Sequence, residues 1–227
     1  MISRFNPVMR ALYRSTSGVA ATEFALVIPF LLGAGLTGLE VGNRVMVQMQ
    51  IGQLAVHIAD NASRVGDQSM LQDRKIYEAD LNDVFSGAEK QGGSGLDLLR
   101  HGRVIISSQE VVPDSEDSQY IHWQRCLGAK THESSYGAEG DGLSGGFVGM
   151  GRTGEEVYAF PDEAVIFVEI AYDYQAIFGV PFGFDSEIIA TAAYTVRDDR
   201  DISQIYQLND AQPDDVAQCD EFGGSSY

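Results

Sequence analysis

The chain has 227 residues, 44% of them hydrophobic, which leaves room for one membrane helix and one domain with its own core. Fifteen Lys and Arg against 33 Asp and Glu give a net charge of −18. Binding to nucleic acid, or docking of the soluble part on anionic lipid, needs clusters of basic residues. We therefore expect no nucleic-acid partner.

An apolar run follows a basic start. The first eighteen residues carry three arginines and no acid, and residues 24–39 carry no charge at all. Those sixteen residues span about 24 Å as a helix, which is less than the ~30 Å hydrocarbon core of a bilayer. Counting from residue 19 gives a segment long enough to cross. The sequence predicts a transmembrane helix over residues 19–40, with the basic end cytoplasmic and the acidic bulk translocated.

A carboxylate lies at the start of this run. Glu23 follows Gly18 by five positions and is itself followed by Phe24. A charged group in a membrane helix costs a few kcal/mol unless it is paired or lies at the interface, which makes Glu23 a functional candidate. The spacing resembles the type IVb prepilin processing site, in particular that of the TadE-like pseudopilins of the tight-adherence (Flp) pilus system. The resemblance is specific over residues 14–40 and loose elsewhere.

The resemblance implies how the segment is used. A prepilin peptidase would cut between Gly18 and Val19, so that residues 1–18 are a leader, and Glu23 and Phe24 become positions five and six of the mature protein. Glu23 would then pair with the amine of a neighbouring subunit. The implied partners are the peptidase, other pilus or pseudopilin subunits, and assembly proteins of the bacterial inner membrane.

Other interpretations of the N-terminus stay open. A secretory signal peptide shares the basic start and the apolar stretch, but it does not normally carry an acid there. An uncleaved signal anchor would make the chain a periplasmic binding or adhesion protein, with the Gly-rich loop 137–154 as its contact surface. An anchored hydrolase is a third alternative.

The helix is expected to continue beyond the membrane. Apolar or small residues recur at three-four spacing from Val41, without proline, and predict one stripe that packs on a sheet. The stripe comprises Val41, Val45, Gln48, Ile51, Ala55, Ile58, Ala62 and Val65. A short second helix is predicted, with Ser69 and Gln72 as a capping box and the glycine-rich residues 91–95 as its end. Its expected face comprises Tyr77, Leu81, Val84, Phe85 and Ala88.

The remainder reads as strands and loops. β-branched and aromatic segments predict strands over four ranges: 103–111, 119–126, 164–174 and 188–196. Antiparallel pairing of these four against the helical stripe gives an α+β, pilin-like domain over residues 41–197. Residues 127–156 read as a long loop, and residues 198–227 as an acidic, loosely ordered tail.

Few motifs point to chemistry. Residues 149–154 match the dinucleotide pattern Gly-x-Gly-x-x-Gly, but they lack the preceding strand and following helix that this fingerprint needs. The four histidines show no metal-binding spacing, and no serine lies in a nucleophile elbow. We predict a protein that is not an enzyme, with no catalytic, cofactor-binding or metal-binding residue.

The two cysteines predict a disulfide. Cys126 and Cys219 are the only pair in the chain, and a translocated domain lies in a compartment where thiols oxidise. The bond would join the tail to the second predicted strand.

Overall fold

A computed structural model describes residues 17–66, 74–178, 186–196 and 200–223. Three helices and six strands occur in these ranges. In chain order they are α1 (Ser17–Ala62), β1 (Arg74–Tyr77), α2 (Glu78–Leu96), α3 (Leu98–His101), β2 (Gly102–Val111), β3 (Gln119–Leu127), β4 (Ala164–Asp173), β5 (Glu187–Thr195) and β6 (Arg200–Tyr206).

A four-stranded antiparallel sheet forms the centre of the domain, in the order β3-β2-β4-β5. The two inner strands pair closely, with Val104 opposite Ile170 and Ile106 opposite Val168. Both are buried along almost their whole length. The sequence of β4 is accordingly a nearly continuous apolar run, whereas β2 buries several polar residues, which are Arg103, Ser107, Ser108, Gln109 and Glu110. All four predicted strands are present, so the expected α+β fold, a long helix packed on an antiparallel sheet, is confirmed.

Helix α1 runs without a break for 46 residues. The chain divides into two compact units, the first containing residues up to Arg44 together with the segment that begins at Ala176. From Val45 on, α1 belongs to the unit that contains the sheet. Its buried residues here are Ile51, Leu54, Ala55, Ile58, Ala59 and Ala62.

The predicted stripe is thus buried only in its second half. Val41 and Val45 are 44% and 49% exposed, and Gln48 is also exposed. The three-four spacing continues through both halves because the helix does, but burial requires a partner surface, which begins at Ile51.

The second helix begins later than the sequence predicts. Ser69 and Gln72, the expected capping box, lie outside the described residues. Tyr77, expected on the helix face, instead ends β1, and its N–H donates to Asp80 Oδ2 at 3.0 Å. The carboxylate thereby satisfies a backbone donor just before the first turn of α2.

The other features of α2 follow the sequence more closely. Leu81, Val84, Phe85 and Ala88 are buried, as predicted. The glycine-rich segment interrupts the helix at Gly93, whose φ of 64° is not helical, although a further turn extends to Leu96.

The C-terminal segment is held more firmly than the sequence predicts. Residues 200–206 form β6, which pairs in parallel with β1. Arg200, mostly buried, donates from Nη2 to the carbonyl of Ser63 at 2.6 Å, just after the end of α1. These contacts join residues far apart in sequence, so the local composition of the tail gave no indication of them.

A buried arginine holds the end of the chain. Arg103, 1% exposed at the start of β2, donates to the carbonyls of Gly128 at 3.1 Å, Glu221 at 3.0 Å and Cys219 at 2.7 Å. Its guanidinium also lies 4.3 Å from the centre of the Phe222 ring. Burial lowers the pKa of Arg103. Its two Nη groups are satisfied by the three carbonyls, whereas its buried Nε has no partner among the described residues.

We predict that Arg103→Met destabilises the protein by roughly 2–4 kcal/mol, because three carbonyls lose their donor. The measurement is denaturant-induced unfolding of the full chain in detergent. Arg152→Met is the matched control: Arg152 is exposed, so its loss should change the free energy of unfolding by less than about 0.5 kcal/mol. Equal stability of the two variants would contradict the assignment.

Candidate functional site

The N-terminal half of α1 is apolar and uncovered. Val19 is 52% exposed and Phe24 is 63% exposed, and the most apolar stretch of the helix has no buried residue. By its length and composition this helix can cross a membrane. Pro29 lies inside it without ending it, at the cost of one backbone hydrogen bond.

The predicted processing residues, Gly18 and Val19, and the predicted assembly residues, Glu23 and Phe24, all lie in the N-terminal part of this helix. A Cβ added at Gly18 would meet no atom within 4 Å. Nothing in the fold of the described chain therefore requires a glycine at this position.

Val19 and Glu23 are four residues apart, which places them on the same face of α1. Between them, the hydroxyl of Thr22 donates to the carbonyl of Val19 at 2.8 Å, so this polar group is satisfied within its own turn. Glu23 is exposed, and no described residue bonds to its carboxylate. Any partner of this charge must come from elsewhere.

A second carboxylate, which the sequence reading did not single out, lies at the far end of the apolar run. Glu40 is only 4% exposed. Its Oε2 accepts hydrogen bonds from the N–H groups of Phe178 at 2.8 Å and Ile177 at 3.1 Å, and the Ile177 N–H also reaches Oε1 at 3.2 Å. The available signal was a lone acid that directly ends an uncharged stretch.

The sheet domain contains a buried carboxylate beside a histidine and two serines, a combination that bears on the hydrolase alternative. Glu169, 0% exposed, accepts from His132 Nε2 at 3.0 Å. The hydroxyls of Ser134 and Ser135 also donate to Glu169, at 3.0 and 2.7 Å. A nucleophilic serine must donate to its histidine. Here both serine hydroxyls donate to the Glu169 carboxylate instead. In this arrangement Glu169 fixes the loop that contains the two serines.

Glu110 forms a similar centre on the neighbouring strand. It accepts from Ser108 Oγ at 2.7 Å and lies 2.9 Å from His122 Nδ1. The hydrogen bond to Glu110 raises the pKa of His122, although burial opposes the shift. Burial and the nearby Glu110 also raise the pKa of Tyr120 to about 12. These groups are bonded to one another, and within the described residues no cluster is placed to hold a metal ion.

The dinucleotide-like motif lies in a loop, as predicted. The N–H of Met150 donates to Gln109 Oε1 at 2.7 Å, and Met150 forms an isolated bridge with Val157. A Cβ at Gly149 would approach the carbonyl of Val157 to 2.4 Å. Close backbone packing thus accounts for this glycine without a phosphate ligand.

The predicted disulfide is present. Cys126 in β3 is bonded to Cys219, which lies 93 residues further along the chain. Next to it, the N–H of Cys126 donates to the carbonyl of Ala217 at 2.8 Å, and Gly128 forms a bridge with Gly223. The bond thus reinforces a backbone pairing between the tail and the edge of the sheet.

Comparison of the chain with protein-family models, with curated proteins and with solved structures gave no match. The class that the described residues define is an α+β domain with one disulfide and one N-terminal helix able to span a membrane.

We predict that replacing both cysteines by serine lowers the free energy of unfolding by about 2–5 kcal/mol, because the unfolded chain loses a long closed loop. Denaturant unfolding of the full chain in detergent, with and without reductant, measures the effect. Reductant should destabilise the wild type and leave the double variant unchanged. Labelling of free Cys126 and Cys219 thiols in protein from its native compartment would contradict the prediction.

Proposed function

We propose that this chain is a pseudopilin-type subunit, without enzymatic activity, that primes or joins a tight-adherence pilus at the bacterial inner membrane. The observation that carries the proposal is the position of Gly18, Glu23 and Phe24 at the start of a helix whose most apolar stretch has no buried residue.

The lack of a structural need for Gly18 supports a processing role. A side chain at Gly18 would meet open space. A small residue at the cut is then a requirement of the peptidase and not of the fold.

The state of Glu23 supports an assembly role. A carboxylate in a membrane helix costs up to about 2.5–3.5 kcal/mol at the bilayer centre and less near the interface. No described residue offsets this cost. Cleavage after Gly18 would create an amine at Val19, and the same amine on a neighbouring subunit is a cation that Glu23 can meet where water is scarce.

The charge distribution and the disulfide support the orientation. The leader contains three of the fifteen basic residues and none of the acids, so the mature chain would carry 12 − 33 = −21. Basic residues remain on the cytoplasmic side of a membrane, and disulfides persist outside the cytoplasm. Both support a periplasmic location for the sheet domain.

We predict that Gly18→Leu abolishes leader removal while membrane insertion is retained, because leucine fits the helix but not a peptidase site that requires a small residue. Mass spectrometry of membrane-extracted protein gives the N-terminus. Wild type and the Gly18→Ala control should begin at Val19. Normal processing of Gly18→Leu would refute the requirement for a small residue at the cut, and with it the prepilin-type processing site. A wild-type chain that keeps its leader would refute processing altogether and favour the uncleaved anchor.

We predict that Glu23→Gln is inserted and cleaved normally but that its pilus output falls at least about tenfold, the effect of losing ~1.4 kcal/mol or more of pairing. Glutamine keeps the shape and removes the charge. The experiment measures insertion, leader removal and pilus output in the same cells, with Glu23→Asp as the control that keeps the charge. Wild-type pilus output from Glu23→Gln would show that Glu23 is only an interfacial residue.

A further inference from the structure

The carboxylate of Glu40 binds an exposed apolar segment. It accepts the N–H groups of Ile177 and Phe178, the residues that follow β4. The side chains of these two residues point away into open space, at 61% and 54% exposed. Helix α1 up to Arg44 and the segment from Ala176 form one compact unit, so the contact is internal to that unit.

The position of Glu40 along the helix fixes its depth if α1 spans a membrane. From Val19 to Glu40 the helix extends for about 32 Å. The hydrocarbon core of a bilayer is ~30 Å thick. Glu40 and the two amides that it binds therefore lie at one boundary of the hydrocarbon core, at the end opposite Glu23.

The chemistry of the segment suits that boundary. The sequence from Tyr174 through Phe184 carries no charge, in a chain whose net charge is −18. Two adjacent large apolar side chains exposed to water are unfavourable, by roughly 1.5–3 kcal/mol each relative to burial. Leu36 and Leu39, in the helical turn before Glu40, are also exposed. Together they present apolar surface at the same end of the helix.

The backbone hydrogen bonds of Ile177 and Phe178 also suit a position at the edge of the hydrocarbon core. A non-helical segment can approach the hydrocarbon only if its N–H groups have acceptors. Glu40 supplies these acceptors to Ile177 and Phe178. In turn, the two amides stabilise a carboxylate that is almost completely removed from solvent.

We propose that the Ile177–Phe178 segment is a second membrane contact, which inserts its two side chains into the interface of the leaflet where α1 emerges and is held there by Glu40. The proposal rests on the membrane-spanning role of α1 in the proposed function. The ligand is the acyl boundary of the lipid. Because the contact is apolar, it requires neither anionic headgroups nor low salt.

The test uses the full chain in zwitterionic phosphatidylcholine vesicles. Since Cys126 and Cys219 are bonded to each other, Phe178→Cys and Leu31→Cys each provide one free thiol for an environment-sensitive fluorophore. Lipids with spin labels at shallow and deep acyl positions quench according to depth. Inserted side chains of interfacial segments reach ~5–10 Å below the headgroups, so the label at 178 should be quenched at least about twofold more by the shallow spin label. The label at 31 should respond most to the deep one.

A label at 178 that is quenched by aqueous iodide and not by lipid, while the label at 31 is quenched by lipid, would overturn this inference and leave the spanning helix intact. A label at 31 that lipid does not quench would refute the membrane placement, and the inference with it.

Glu40 variants test the attachment. Glu40→Ala should reduce lipid quenching at position 178 at least about twofold and leave it unchanged at position 31, because only the segment loses its acceptor. Glu40→Gln keeps an oxygen acceptor and should retain most of the quenching. Unchanged quenching at 178 in Glu40→Ala would overturn the role of Glu40.

Discussion

The whole molecule depends on one continuous helix that must satisfy two different environments. In its first half, α1 is apolar all round and exposed, which suits lipid, where only a helix satisfies its own backbone. In its second half, from Ile51 on, α1 has buried residues along one face. The transition from exposed to buried residues requires no break in the helix. The backbone hydrogen bonds are the same in both halves, and only the side chains decide which face is buried. A separate cluster, formed by Ile121, Met150 and Phe167, lies between the sheet and the long loop.

The C-terminal segment is attached to the rest of the domain at several points. Strand β6 holds the start of the tail, whereas the disulfide to Cys126 and the guanidinium of Arg103 both hold it at Cys219. The covalent bond acts on the unfolded chain by closing a long loop. Arg103 acts on the folded chain, because its fork of donors fixes tail carbonyls that lack strand partners there. The two interactions are complementary. The disulfide limits how far the tail can separate from the sheet, and Arg103 fixes the conformation of the tail.

The sequence predicted the elements whose signals are local. The four main strands, the continuous helix, the long glycine-rich loop and the cysteine pair all follow from periodicity, composition or compartment. Strands β1 and β6 were missed because they are short and pair across more than a hundred residues, and nothing in the composition of the tail marks it as a strand. The three-four spacing from Val41 identified the face of α1 that is buried from Ile51 on. It could not show where burial begins, because that depends on which part of the chain packs against the helix. Glu40 was overlooked for the same reason, since its partners are two backbone amides more than 130 residues away.

The two carboxylates of the apolar helix show how such groups can be maintained. Glu23 and Glu40 lie about 25 Å apart along α1, near the two boundaries expected of a ~30 Å hydrocarbon core. Glu40 is satisfied by its own chain, so its charge stabilises a fixed local structure. Glu23 receives no hydrogen bond from any described residue, so no described part of the chain compensates its charge. An internally bonded carboxylate has nothing to offer a neighbouring subunit, whereas an uncompensated one gains by association. That asymmetry is the physical reason to assign structural anchoring to Glu40 and intermolecular pairing to Glu23.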